Sequence, residues 1–437
     1  MPARYARKVR KMEPRTIEPK WDVGRRFAFH FCCIYLVLYM LPFPLFQIPF
    51  TSSLAIQYGQ LWRKIVPWVG AKFFKLNITI FPGGSGDTTF NYVQLLCYLI
   101  VALAGACIWT LLTRTRRNDA WVREWLRIYV RFYVASTMLT YGAIKVIQSQ
   151  FPSPTLDRLL QPFGDASPMG LLWTFMGASP LYNLFTGMGE MIGGLLLTTR
   201  RTTLLGALVC FGVMSHVAAL NFSYDVPVKL FSMHLVLMSL FLMIPDLRRL
   251  VNVFLFNRPA EAAEYRPVFG RPWMHNATIA FRSLLVLFLV WQTLSSAQSS
   301  RKMFGDLAPR SPYYGVWYVD NFQKNGNEHA PLITDKERWR RIVFDNPMRV
   351  AVQKMDGSII RFDVQTDPKT KEMTLKKRGD QVWKGTMTVR PDEKEGLIVE
   401  ARIDGAGICA KLKKEEMSQF LLKSRGFNWI NEYPFNR

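Results

Sequence analysis

Glu190 lies in GMGEMIGGLLL, residues 187–197, within an apolar run long enough to cross a bilayer. A carboxylate near the middle of a membrane costs from about 2.5 kcal/mol upward, so such a group is paired, solvated or at work. Two readings stand side by side: a neutral or salt-bridged glutamate that holds a bundle together, and a group that serves transport, proton or redox chemistry. Gly189 and Gly193 are four apart and Gly194 follows, which gives the run a small face that another helix backbone can approach closely.

Other polar residues fall at comparable depth when helices are counted at about 1.5 Å per residue. Glu190, His216 and Lys145 are the catalytic candidates. His234, Lys229, Asp225 and Asn221 are the candidates for holding a cofactor, the last three around the short turn between two apolar runs. Two histidines on adjacent helices could place two imidazoles on one haem iron. A buried neutral histidine bonded to a neighbouring helix is the commoner case, so haem is disfavoured. A histidine paired with Glu190 would relay protons with no metal at all. No His, Cys, Asp or Glu cluster has ligand spacing, so no metal site is expected.

These residues need apolar helices to place them. Runs at about 27–48, 91–112, 125–147, 180–199, 202–220, 227–244 and 276–297 each approach the twenty residues that cross the hydrocarbon core, so an α-helical polytopic membrane bundle of about seven spans is expected. Residues 54–76 mix Trp62, Trp68, Phe73 and Phe74 with Arg63, Lys64, Lys72 and Lys75, the pattern of an interfacial amphipathic helix. The arm at 1–26 carries nine Lys or Arg. Arginines recur at 114–123, at 200–201 and at 248–271, whereas the connection at 148–179 has Arg158 as its one cation. The positive-inside rule then puts the N-terminus in the cytoplasm. Seven spans put the C-terminal third outside, in the periplasm of a bacterial inner-membrane protein. Arg127, Arg131 and Arg282 read as anchors near the cytoplasmic ends.

The formal charge of +24 could suggest nucleic acid, but the cations cluster between apolar runs and form no basic face, so that partner is excluded. Six scattered cysteines with no C-x-x-C pattern argue against disulfide stapling and thiol chemistry. The domain scheme is thus a basic cytoplasmic arm at 1–26, a transmembrane domain at 27–297, a Ser-rich linker at 298–312 and a last domain at 313–437. In that last domain GVWYVDNF, RVAVQKM, SIIRFDVQT, EMTLKKR, VWKGTMTVRP, GLIVEARI and ICAKLKK recur every eight to twelve residues with turn signals between them. Seven or eight such strands predict a soluble all-β, up-and-down barrel. A β-sandwich or a solid-cored barrel stays open beside a hollow one.

YGAIKV with Lys145, GMGEMIGGLLLTTRR with Glu190, and YDVPVKLFSMHLVLMSLFLMIPDLRRL resemble the DoxX-like membrane family over about 120 residues, at about 125–250. The run from His216 through Lys229 is also similar to the transmembrane domain found with vitamin K-dependent carboxylases. The DoxX resemblance implies chemistry with membrane quinone, as in a thiosulfate:quinone oxidoreductase, although the cysteines for a sulfur site are missing. It carries over no catalytic residue. Gly315, Val316 and Trp317 resemble the first-strand motif of lipocalins, which implies that Arg425 stacks on Trp317.

Two functions follow as expectations. One is a quinone-linked oxidoreductase or a subunit of one, in the bilayer. The other is a non-enzymatic anchor or assembly protein whose barrel binds a lipid or a protein. A transporter is disfavoured by the lack of internal repeats. Catalysis itself, the ligand and the oligomeric state stay open.

Overall fold

A computed structural model describes residues 21–436 apart from 49, 81–82, 116–118, 261–271, 379, 381–382 and 393–394, together with the backbone alone at 272, 275, 278, 281 and 304. Most of the basic arm, and Arg116, Arg117, Arg266 and Arg271, lie outside the described residues. Two compact units are formed, Met1–Leu139 with Glu190–Leu289, and Thr140–Gly189 with Val290–Arg437.

The helices in chain order are α1 (Val23–Met40), α2 (Ser52–Phe74), α3 (Thr89–Leu112), α4 (Ala120–Val146), α5 (Leu156–Leu160), α6 (Pro168–Ala178), α7 (Pro180–Leu197), α8 (Thr203–Ser223), α9 (Lys229–Met243), α10 (Leu247–Phe254) and α11 (Pro272–Phe304). Their starts follow local chemistry. Asp22 accepts the backbone N–H of Arg25 to cap α1, and Thr88 with Asn91 closes a capping box on α3.

Among the described residues four helices are long and apolar enough to cross a membrane: Val23–Met40, Thr89–Leu112, Arg200–Ser223 and Lys229–Phe254. The expected seven spans are therefore not supported. The runs expected at 125–147 and 180–199 fall on α4 and α7. Arg127, Arg131 and Lys145 lie along α4, and α7 has Asn183 and Glu190 within 18 residues. The run expected at 276–297 lies in α11, several of whose side chains are outside the described residues. The amphipathic stretch is one helix, α2, which buries Ala55, Trp62, Val66 and Gly70 and leaves Leu54, Leu61, Trp68 and Phe73 exposed.

The sheet strands are β1 (Gly315–Lys324), β2 (Asn327–Glu328), β3 (Trp339–Asn346), β4 (Arg349–Lys354), β5 (Ile359–Thr366), β6 (Met373–Lys377), β7 (Lys384–Pro391), β8 (Leu397–Ile403) and β9 (Ala406–Lys414), followed by α12 (Leu421–Ser424). From β3 onward each strand pairs antiparallel with the next, β3 pairs with β1, and β9 returns to β1, with Trp317 opposite Lys414 and Gln323 opposite Cys409. The result is a closed barrel of eight strands, with β2 a short extension on β1. The hairpin from β8 to β9 turns on Asp404 and Gly405, both with positive φ, between the paired Ile403 and Ala406. That geometry suits Asp-Gly because glycine enters the left-handed region without steric cost.

Inward side chains, among them Trp317, Phe322, Trp339, Phe344, Phe362, Leu375, Met387 and Val399, form one apolar cluster through the barrel. Arg338 adds a cation that is 1 % exposed and donates to the carbonyls of His329, Val319 and Asp320. Replacing Arg338 by methionine strips one buried and two part-buried carbonyls of a charged donor, and a loss of about 2–3 kcal/mol is expected in denaturant unfolding followed through the barrel tryptophans. The expected stacking of Arg425 on Trp317 is not found. Arg425 follows α12 and lies 3.9 Å from the Phe435 ring centre, while Lys414 sits over Trp317 at 5.8 Å because β9 pairs directly with β1.

Candidate functional site

In the first unit the polar groups collect at helix ends and along α1. His30 is wholly buried, with Nδ1 2.9 Å from the Thr110 hydroxyl, Nε2 3.1 Å from an Asp119 oxygen, and its ring stacked on Trp109 at 4.2 Å. One turn earlier Arg26, 2 % exposed, donates to the Thr113 carbonyl at 2.8 Å. Together these side chains tie α1 to the C-terminal end of α3 and to the start of α4. No motif in the sequence singles them out. The available signal was the four-residue spacing of Arg26 and His30 on the first apolar helix.

His234 is buried on α9 against α1. Its Nδ1 is 2.6 Å from the Leu230 carbonyl, so that nitrogen carries the proton, and Nε2 accepts from the Tyr35 hydroxyl at 2.6 Å. Tyr39 stacks on the imidazole at 3.8 Å and 5°. Both nitrogens are thus engaged, and an axial bond to haem iron would have to break one of these hydrogen bonds. Near this group Tyr58 donates to the Leu38 carbonyl at 2.9 Å, and Gln94 donates to Tyr98 at 2.9 Å.

The other candidates lie on α4, α7, α8 and the start of α9. On α8 the buried stripe is Thr203, Gly206, Ala207, Cys210, Met214, Ala218 and Asn221, and His216 lies off it on the exposed face. Asn221 is buried with its Nδ2 unpartnered. Lys229 opens α9 and bonds Asp225 at 2.8 Å, an exposed pair of small energetic weight. A residue that no motif flagged, Asp87, accepts the backbone N–H groups of Lys229 and Leu230 at 2.7 and 3.0 Å and so caps α9 from a distant loop. Glu190 is 1 % exposed on α7. Lys145 is buried near the end of α4, in the other compact unit. The structure therefore gathers Asn221, Asp225, Lys229 and His234 on one α8–α9 hairpin and turns His216 away. No group of three His, Cys, Asp or Glu among the described residues is placed for a metal.

The second unit holds the more open feature. The outer face of β1, β3 and β4 is apolar at Val316, Val343 and Ala351, and Leu156 of α5 packs there fully buried, with Leu159, Leu160, Met417 and Phe420 around it. Asp157 pairs with Arg361 of β5 at 2.6 Å, and Gln353 donates to the Leu160 carbonyl at 3.1 Å. Burial alone would raise the Asp157 carboxyl, but hydrogen bonds from Thr155 and Arg361 outweigh it and hold the group below the ordinary carboxylate range. The segment between α4 and α7 is thereby clamped to the barrel. Between this segment and α12 lies a cleft of about 340 Å³, lined by Leu159, Leu171, Phe420 and Leu422 with Arg158, Gln161, Thr174 and Gln419 as polar groups. Its size falls at the small end of ligand sites, which run from roughly 300 Å³ upward.

The uncharacterized protein YwoB of Bacillus subtilis (strain 168) is 31 % identical to this chain over 135 residues, which is 84 % of that protein and 30 % of this chain. The chain belongs to the YwoB family. No family model and no solved structure matches it.

Proposed function

We propose that this YwoB-family chain is a non-enzymatic membrane protein whose helices hold a barrel domain at the bilayer, and whose barrel, with the clamped loop and its cleft, receives a lipid or protein partner. The clamp of Leu156 and Asp157 on the barrel is the observation that carries this reading. It makes the segment at 148–179 and the barrel one body, and so puts them on one side of a membrane. With α4 and α7 taken to cross the bilayer beside the four more apolar helices, that segment, which has a single cation, lies opposite the arginine-rich connections at 114–123 and 200–201, and the positive-inside rule then assigns it and the barrel to the outer, periplasmic side of a bacterial inner membrane. The apolar cluster filling the barrel favours binding on its outside and not in its lumen, as in a lipocalin-like shell with a solid core.

A second reading, a quinone-linked oxidoreductase of DoxX type, draws on the hydrogen-bonded and stacked Tyr35, Tyr39 and His234 among apolar helices, groups able to move protons to a quinone headgroup. Extraction of the detergent-purified chain separates the two. Membrane-background quinone that is unchanged by His234→Phe supports the scaffold. Stoichiometric quinone that His234→Phe removes would replace it with the redox reading.

A further inference from the structure

Arg131 is a cation in the wrong company. Among the described residues it is 7 % exposed on α4, its Nε is buried without a hydrogen bond, its one hydrogen bond is a long 3.5 Å contact with the Thr203 hydroxyl at the start of α8, and its guanidinium lies 5.1 Å from the Phe132 ring centre. Among the described residues the charges that act on it include Arg200, Arg127 and Arg282 and one carboxylate, Glu124. Glu124 is half exposed and lies 3.4 Å from Arg200. Asp246, the partner of Arg127 at 3.4 Å, also bonds Arg249 at 2.5 Å. Among the described residues, guanidinium groups from α4, the 200–202 turn and α11 thus gather around Glu124 and Asp246, and Arg131, the most buried of them, has no carboxylate at ion-pair distance. Leaving a buried charge uncompensated is strongly unfavourable, so an anion completes such a site.

We infer that Arg131, with Arg127, Arg200, Arg282 and Thr203, binds the phosphate of an anionic membrane lipid. A phosphate offers several acceptor oxygens to guanidinium groups and a hydroxyl. Lipid is favoured over free phosphate by the surface beside the site. Trp121 and Trp125 are exposed on α4 ahead of Arg127 in the chain, and Leu205 of α8 and Leu284 and Leu287 of α11 are exposed too, the setting of an interfacial aromatic belt against acyl chains. The site lies among the arginine-rich connections, the side on which anionic headgroups meet basic pockets between helices.

The inference rests on the chain's being a membrane protein, and its failure is separable from failure of that reading. A chain that fractionates with membranes while showing no lipid preference would sink the site alone. The test is thermal unfolding of the full chain, delipidated in mild detergent, with mixed micelles containing phosphatidylglycerol or phosphatidylcholine, or with inorganic phosphate. Phosphatidylglycerol is expected to raise the midpoint by about 5 °C or more at saturating levels, and phosphatidylcholine to leave it unchanged. Arg131→Gln is expected to abolish that rise while leaving the lipid-free protein as stable as the parent or more so, because it removes an uncompensated charge. A purely structural arginine would instead lower the lipid-free midpoint. Arg282→Gln, on a separate helix, should weaken the response in a chain that folds normally. Equal shifts with both lipids, a full response in Arg131→Gln, or the same shift from inorganic phosphate alone would each overturn the assignment.

Discussion

Gly187→Leu is expected to abolish accumulation of folded chain in membranes, whereas Gly212→Leu should leave it near the parent level. A β-carbon on Gly187 would meet the Gly142 carbonyl oxygen at 2.7 Å and the Val146 backbone nitrogen at 2.9 Å, so α4 and α7 would have to separate. Backbone atoms cannot swing aside as side chains do, and overpacking of this kind costs about 3 kcal/mol or more. Farther along α7, Gly193 approaches Cys210 of α8 and Gly194 approaches the backbone of Ala135 and Leu139 on α4, at 2.8 and 3.0 Å by the same measure. Gly212 has nothing within 4 Å. Membrane-fraction yield and size-exclusion profile of the two variants read the difference.

Leu156→Asp carries the second large effect. Leu156 is wholly buried between α5 and the barrel's outer face, and even truncation to alanine is expected to cost about 2–5 kcal/mol. An unpaired carboxylate there should release the segment at 148–179. The barrel should stay folded, because its own cluster is internal and does not include Leu156. Limited proteolysis of the full chain then cuts early within 148–179 in the variant, while the barrel fragment persists. Acid tests the same clamp through Asp157. The folded carboxyl is depressed, so its contribution is present above the ordinary carboxylate range and is lost as pH falls through its folded value. Near-neutral pH changes are therefore expected to leave the segment protected, and strongly acidic buffer to expose it in the parent chain.

The barrel could be read from the sequence because its signals are local. Alternation in VWKGTMTV and the Asp404-Gly405 turn name their own strands, and β7, β8 and β9 fall where those patterns put them. The small face around Gly193 and Gly194 was also legible, since close approach needs residues without side chains. What failed depended on distant partners. Nothing near Asp87 in the chain shows that it caps α9, and nothing near Leu156 shows that a barrel some 160 residues later offers Val316 and Val343 to cover it. His216 and His234 looked alike by depth, but depth counts residues along an axis and not direction around it, so one proved exposed and the other buried. The count of seven spans fell for a related reason. Apolar runs of about twenty residues made α4 and α7 candidates, while the charges along α4 and the polar interruptions of α7 take them below the apolarity of α3 or α8.

The most direct measurement is labelling of two cysteines by a membrane-impermeant maleimide in intact spheroplasts, in chains whose other cysteines are replaced. One position is the native Cys409 on β9 and the other is Ser153→Cys, exposed in the clamped segment. A segment and a barrel that form one body on the outer face give labelling of both before lysis. Labelling of one with protection of the other until the membrane is broken would contradict the clamp on which the proposed function stands.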